Sequence, residues 1–124
     1  MESIKTDKAP AAVGPYSQAV VHNGLVFVSG QIPIDPATGT MADGFREQAT
    51  QALTNLRNVL EASGSSMEKV LRVTVFLTDI SKFAEVNEVY AGFFSEPFPS
   101  RSCVEVSNLP KGVGLEIDAI GFTD

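Results

Sequence analysis

Two helical stripes set among β-branched runs constrain this chain more than any single residue does. From Phe45 to Leu60 the apolar residues fall at Phe45, Ala49, Leu53, Leu56 and Leu60. Steps of three and four put them on one helical face. Arg46, Glu47, Gln51, Asn55 and Asn58 take the remaining surface, Asp43 reads as the N-cap and Gly64 as the stop. A second stripe, Phe83, Val86, Tyr90 and Phe93 or Phe94, follows a cap at Asp79 or Ser81 and ends before Pro97 and Pro99.

The other apolar runs carry strand chemistry. Residues 17–30, "SQAVVHNGLVFVSG", form two runs around His22-Asn23-Gly24, and Asn-Gly is the strongest short hairpin signal. "QIPIDPATGT" (31–40) is loop, "VLRVTVFL" (70–77) a buried strand, and "SRSCVEVSNL" (100–109) another. After the turn "PKGVG", "LEIDAIGF" alternates Leu115, Ile117 and Ala119 against Glu116 and Asp118. The order ββ-α-β-α-ββ, without repeat or linker, predicts a single α/β (α+β) domain over residues 1–124. Its two helices pack on one face of the sheet. Two helices do not cover both faces, so the bare face is expected to meet solvent or another subunit.

Composition removes several classes of function. With 124 residues the chain buries about two-thirds of its unfolded surface, so no metal or disulfide staple is needed. One cysteine and one histidine allow neither an internal disulfide nor paired-cysteine or histidine-rich metal spacing. Fifteen acidic against nine scattered basic side chains, net −6, oppose a phosphate backbone as main ligand. "MESIKTDKAP" lacks the apolar core of a signal peptide and no segment has the length of a membrane helix, which sets a cytoplasmic expectation.

Arg101 and Cys103 hold the candidate chemistry. Two residues apart on a strand, they share a face, with Ser102, Val104 and Val106 on the other, apolar one. Arginine's planar fork grips a carboxylate through two hydrogen bonds, and Glu116 on the next strand can hold and polarise a water. If the turn makes those strands antiparallel neighbours, a plain Arg101–Glu116 ion pair is the rival. Cys103 reads better as a small buried hydrophobe than as a thiol nucleophile, because His22 sits in the hairpin turn, a poor position for its base. Ser29-Gly30 closes a strand where a ligand can approach the backbone, or is a simple strand exit. Asn87 within the second helix faces a pocket or solvent, and Tyr16 sits at a sheet edge. Gly112-Val113-Gly114 leads into a strand and fails as a dinucleotide motif.

Five segments, "VGPYSQAV" (13–20), "VSGQIPIDPATG" (28–39), "QATQALTNLRNVLEASG" (48–64), "VTVFLTDISKFAEVNEVYAGFF" (73–94) and "PSRSCVEVSNLPKGVGLEID" (99–118), together resemble the RidA (YjgF-type) family of enamine/imine deaminases. The last carries the family's proline, small residue, arginine, strand and terminal glutamate. The resemblance implies a chorismate-mutase-like fold assembled as a homotrimer, with substrate pockets between subunits. It further implies cofactor-free hydrolysis of 2-imino or 2-enamino acids, such as 2-iminobutanoate and 2-iminopropanoate, to 2-keto acids and ammonia. Carried over by position, Arg101 holds the substrate carboxylate, backbone groups at Cys103 contact substrate, and Glu116 positions or activates water. Tyr16, Ser29, Gly30 and Asn87 line the pocket, the last from a neighbouring subunit. Gly121 stands where the family often has alanine. Family members are also described as ribonuclease-type translation inhibitors and chaperones, and a non-enzymatic 2-keto acid sensor is a third reading. The dispersed basic residues count against RNA and the intact Glu116 against a mere sensor.

Overall fold

The hairpin at Asn23-Gly24 forms as its sequence predicts: both residues take positive φ, 51° and 78°, and His22 pairs with Leu25 across a two-residue turn. The computed structural model describes residues 1–124. Its strands are β1 (Glu2–Ile4), β2 (Ala19–His22), β3 (Leu25–Gln31), β4 (Val70–Leu77), β5 (Ser100–Glu105) and β6 (Leu115–Phe122). Helix α1 (Phe45–Ala62) joins β3 to β4, and α2 (Phe83–Ala91), entered through a short 3-10 turn, joins β4 to β5. The sheet order is β1-β2-β3-β6-β4-β5. This is a mixed α+β fold, with one strand, β1, added to the expected order.

Helix α1 stops where Gly64 adopts φ +82°, with Gly64 N–H donating to Glu61 O and Ser65 N–H to Leu60 O, the paired bonds of a Schellman end. Its start differs from expectation. Gly44, not Asp43, is the N-cap and offers no side chain, while Gln48 reaches back to the carbonyls of Ala42 and Asp43 at 2.7 and 3.3 Å. Asp79 does cap, but the 3-10 turn ahead of α2, by accepting from Ser81 N–H.

Asn55 also departs from its expected surface position. It is fully buried, donates to Ile32 O at 3.0 Å and Ile34 O at 2.9 Å, and accepts from Gln51. The loop after β3 folds over the helix here, and its carbonyls need a donor that an aliphatic side chain would not supply.

Leu53, Leu56, Val59 and Leu60 of α1 are buried against Val26, Val73, Val75, Leu77, Leu115 and Ile117 of the sheet. Every second residue of β6 thus faces the helices, and the others lie on the open face, half-buried. At Gly121 an alanine Cβ would stand only 3.0 Å from Lys69 O, so close backbone packing favours glycine there. The open face is not simply polar. Phe27 and Val104 are each 41% exposed on it, and Phe27 pairs with Ile120.

Two expectations about the last strands are corrected. β5 and β6 are not neighbours: β4 lies between them, antiparallel to β6 and parallel to β5. A helix links β4 to β5, and parallel strands require such a crossover. The faces of β5 are also reversed. Arg101 pairs with Val73 and Cys103 with Val75, both core residues, so arginine and thiol point to the helix side. Val104, paired with Phe76, alternates onto the open side, where the edge strand β5 leaves it only partly covered.

Candidate functional site

Glu116 sits in the middle of the sheet, on β6 between β3 and β4, where backbone pairing on both sides sets its position. Opposite it, β3 is irregular. Val28 pairs with Ala119 and Gln31 with Ile117, so three steps on β3 match two on β6, a bulge at Ser29-Gly30. The Glu116 side chain lies over Gly30 so closely that a Cβ there would collide with its carboxylate. Ser29 is held by its hydroxyl to Ser17 O at 2.6 Å and by its N–H to Gln18 O at 2.9 Å. Gln18, buried, in turn donates to Pro10 O at 2.8 Å and Thr6 O at 3.0 Å, which fixes the N-terminal segment as a wall. The result is a cleft of about 470 Å³ lined by Tyr16, Ser29, Gly30, Gln31, Lys111 and Glu116 among others.

Burial pushes the Glu116 carboxyl above the usual glutamate range, and the like charge of Asp118 adds to the rise. Asp118 is itself raised by burial, held back by hydrogen bonding with Thr74 and by the Arg72 guanidinium. A carboxyl so placed can take and return a proton nearer neutral pH than a solvated one.

The second group forms on the helix side of β5. The Arg101 guanidinium lies 4.7 Å from the centre of the Tyr90 ring and 5.4 Å from that of Phe83. Asn87, half-buried, occupies the helical position between these two rings. Cys103, half-buried, packs against the core, and burial pushes its thiol up against the opposing pull of Arg101. A raised thiol is a poor nucleophile near neutrality.

Tyr16, Ser29, Gly30 and Glu116 therefore come together in one cleft, while Arg101, Asn87 and Cys103 gather elsewhere. Within one chain the two groups stand on opposite faces with β4 between them. No Arg101–Glu116 ion pair forms; the chain's ion pairs are Arg46–Glu88 and Lys69–Asp124. Sequence reading overlooked Lys111 in the Glu116 cleft, although a Pro-Lys-Gly turn signals it. Lys111 takes a left-handed φ of 58°. Phe83 and Tyr90 lie on the inner stripe that the periodicity predicts, but no sequence signal marks that their rings meet Arg101. No three His, Cys, Asp or Glu side chains are grouped to hold a metal, and no helix is long and apolar enough to cross a membrane.

A family model described as Endoribonuclease L-PSP matches residues 6–122. The chain is 48% identical over 122 residues to a 2-iminobutanoate/2-iminopropanoate deaminase of Salmonella typhimurium, covering 96% of this chain and 95% of that protein. This chain belongs to the RidA family. A RutC family protein of Sinorhizobium fredii is 52% identical over 121 residues, covering 97% of this RidA chain and 96% of that one. The crystal structure of Escherichia coli TdcF with bound serine superposes with TM-score 0.95 at 44% identity, covering 100% of both chains. The RidA fold is thereby shared along the whole chain.

Proposed function

We propose that the protein hydrolyses 2-imino and 2-enamino acids to 2-keto acids and ammonia, at sites completed between copies of the chain. The observation that carries this reading is the division of the site. An unpaired guanidinium and a desolvated carboxyl, the two groups the reaction needs, sit on opposite sheet faces. One small substrate touches both only if a second chain brings its Glu116 cleft to the edge strand of the first. The half-apolar open face supplies surface for such association, and the family resemblance implies a homotrimer. Two relatives support the substrate class: one is named for 2-iminobutanoate and 2-iminopropanoate, and TdcF holds serine.

In this mechanism Arg101 binds the substrate carboxylate through two charge-assisted hydrogen bonds. Asn87 and backbone groups at Cys103 contact the substrate beside it, and Tyr16, Ser29 and Gly30 line the opposing wall. Glu116 takes a proton from water as the oxygen adds to the electrophilic imine carbon. With the imine protonated, this gives a neutral carbinolamine. Glu116 returns the proton to the nitrogen, then takes the hydroxyl proton as the C–N bond breaks, so ammonia leaves, the 2-keto acid forms and the proton passes on to solvent. Neither step requires an enzyme nucleophile, which suits the protonated Cys103.

The ribonuclease reading in the family's description finds less support. The only histidine, His22, is exposed at the hairpin, and the net charge is −6. The deciding experiment couples a threonine dehydratase to the protein and follows 2-ketobutanoate formation in a buffer that does not scavenge imines. Acceleration is expected, and is expected to vanish with Arg101→Ala. Mixing Arg101→Ala with Glu116→Gln subunits should restore part of the rate, because some interfaces then pair an intact arginine with an intact glutamate. No acceleration by the folded wild type would overturn the activity. Acceleration without complementation would overturn the shared site.

A further inference from the structure

Arg101 is the cation of the proposed site, yet no carboxylate of its own chain balances it. Instead it is held by rings. Tyr90 presents its face at 4.7 Å and Phe83 at 5.4 Å, from positions 83 and 90 of α2, two turns apart on one side of the helix. Tyr90 is backed in turn by Phe94, with ring centres 4.5 Å apart. Tyr90 is only 7% exposed and its hydroxyl has no hydrogen-bond partner, so the chain places a tyrosine here at the cost of an unsatisfied polar atom. Phe83, by contrast, is 40% exposed, unusual for a ring on the stripe that faces the sheet. Burial accounts for a ring at Tyr90 but not for the exposed ring at Phe83. What the two rings share is the Arg101 guanidinium lying over both.

A ring face attracts the flat side of a guanidinium and leaves its hydrogen-bonding edges free. A carboxylate partner would occupy those edges. We propose that Phe83 and Tyr90 are positioning residues, which clamp the Arg101 guanidinium by its faces so that its N–H fork is presented, unoccupied, to the incoming carboxylate. This deepens the function proposed above and rests on Arg101 being the anchor. The clamp limits the rotamer freedom that the long side chain loses on binding, which is how preorganisation gains affinity.

The test is a double-mutant cycle read in KM and kcat of the dehydratase-coupled assay, where activity stays measurable after binding has weakened. Phe83→Leu keeps an apolar side chain at an accessible position and removes the ring face. It is expected to raise KM about two- to fivefold with little change in kcat, the size of one partly exposed cation–π contact. In an Arg101→Lys background, which keeps measurable turnover, the same substitution should change little further, because the planar fork that the rings present is gone. At position 90, phenylalanine should recover most of the KM that leucine loses. An equal effect of Phe83→Leu with and without Arg101 would overturn the clamp and make Phe83 a wall of the pocket. So would no effect in either background. Wild-type kinetics in Arg101→Lys itself would instead defeat the anchoring role on which the clamp rests, a separately visible result.

Discussion

The two halves of the site are built by opposite means. Glu116 stands on a strand paired on both sides, and its position follows from backbone register and one bulge in the neighbouring strand. Arg101 stands on an edge strand paired on one side only, and its guanidinium is held by aromatic side chains from a helix. The carboxyl is tuned by what surrounds it, burial and a like charge, whereas the guanidinium needs no tuning because it is always charged. A general base depends on its pKa and its place. An anchor depends on orientation alone. Substitutions on the two sides should therefore fail in different ways.

The largest effect is expected from Glu116→Gln, which keeps the shape and removes proton transfer. Turnover should fall about 10²- to 10⁴-fold while a keto-acid product analogue still binds. Loss of analogue binding with turnover kept would reverse the two roles. Gly30→Ala should come next. Its methyl occupies the space of the Glu116 carboxylate, and a displacement of about 1 Å from productive geometry costs on the order of 10²-fold. Retained activity would show that the carboxylate acts from another position. Arg101→Lys replaces the fork with a point charge. Loss of a charge-assisted pair worth about 1.5–3 kcal/mol predicts roughly a 10- to 150-fold drop in kcat/KM with the assembly intact. Near-wild-type turnover would end the anchoring role.

The same contrast explains what was legible in the sequence. Helices, hairpin and the alternation of β6 were readable because each rests on local periodicity or a turn residue with one backbone solution. Glu116 was assignable to its face for the same reason. Arg101 was not, because its face depends on which strand β5 joins, and residues 70–105 carry no local sign that β4 would come between β5 and β6. The apparent apolar face of "SCVEV" misled, since on an edge strand a valine such as Val104 can lie half in solvent. Asn55 was misplaced by a related cause. A polar residue on the rim of a helical stripe looks exposed until a distant loop, here 32–34, needs its amide.

The smallest and most specific effect concerns Asp118, which touches the comparison through charge alone. It lies two residues from Glu116 on the same face of β6, with Thr74 and Arg72 of β4 beside it and Lys111 in the Glu116 cleft. Asp118→Asn removes the like charge, the lesser of the two causes that raise Glu116, and leaves its burial untouched. The acid limb of kcat/KM should therefore move to lower pH, but only part of the way to an ordinary glutamate. Stability carries the same sign. A carboxyl whose pKa is raised by folding binds its proton more tightly in the folded chain, so its contribution is fullest below the unfolded pKa, about 4, and is lost as pH rises through the folded one. Asp118→Asn should accordingly have a higher Tm than the unmodified chain at pH 7, and the difference should close on acidification below about pH 4. A Tm difference that stays constant with pH would show that Asp118 acts through its hydrogen bonding to Thr74 and not its charge. An unmoved acid limb would show that burial alone sets Glu116.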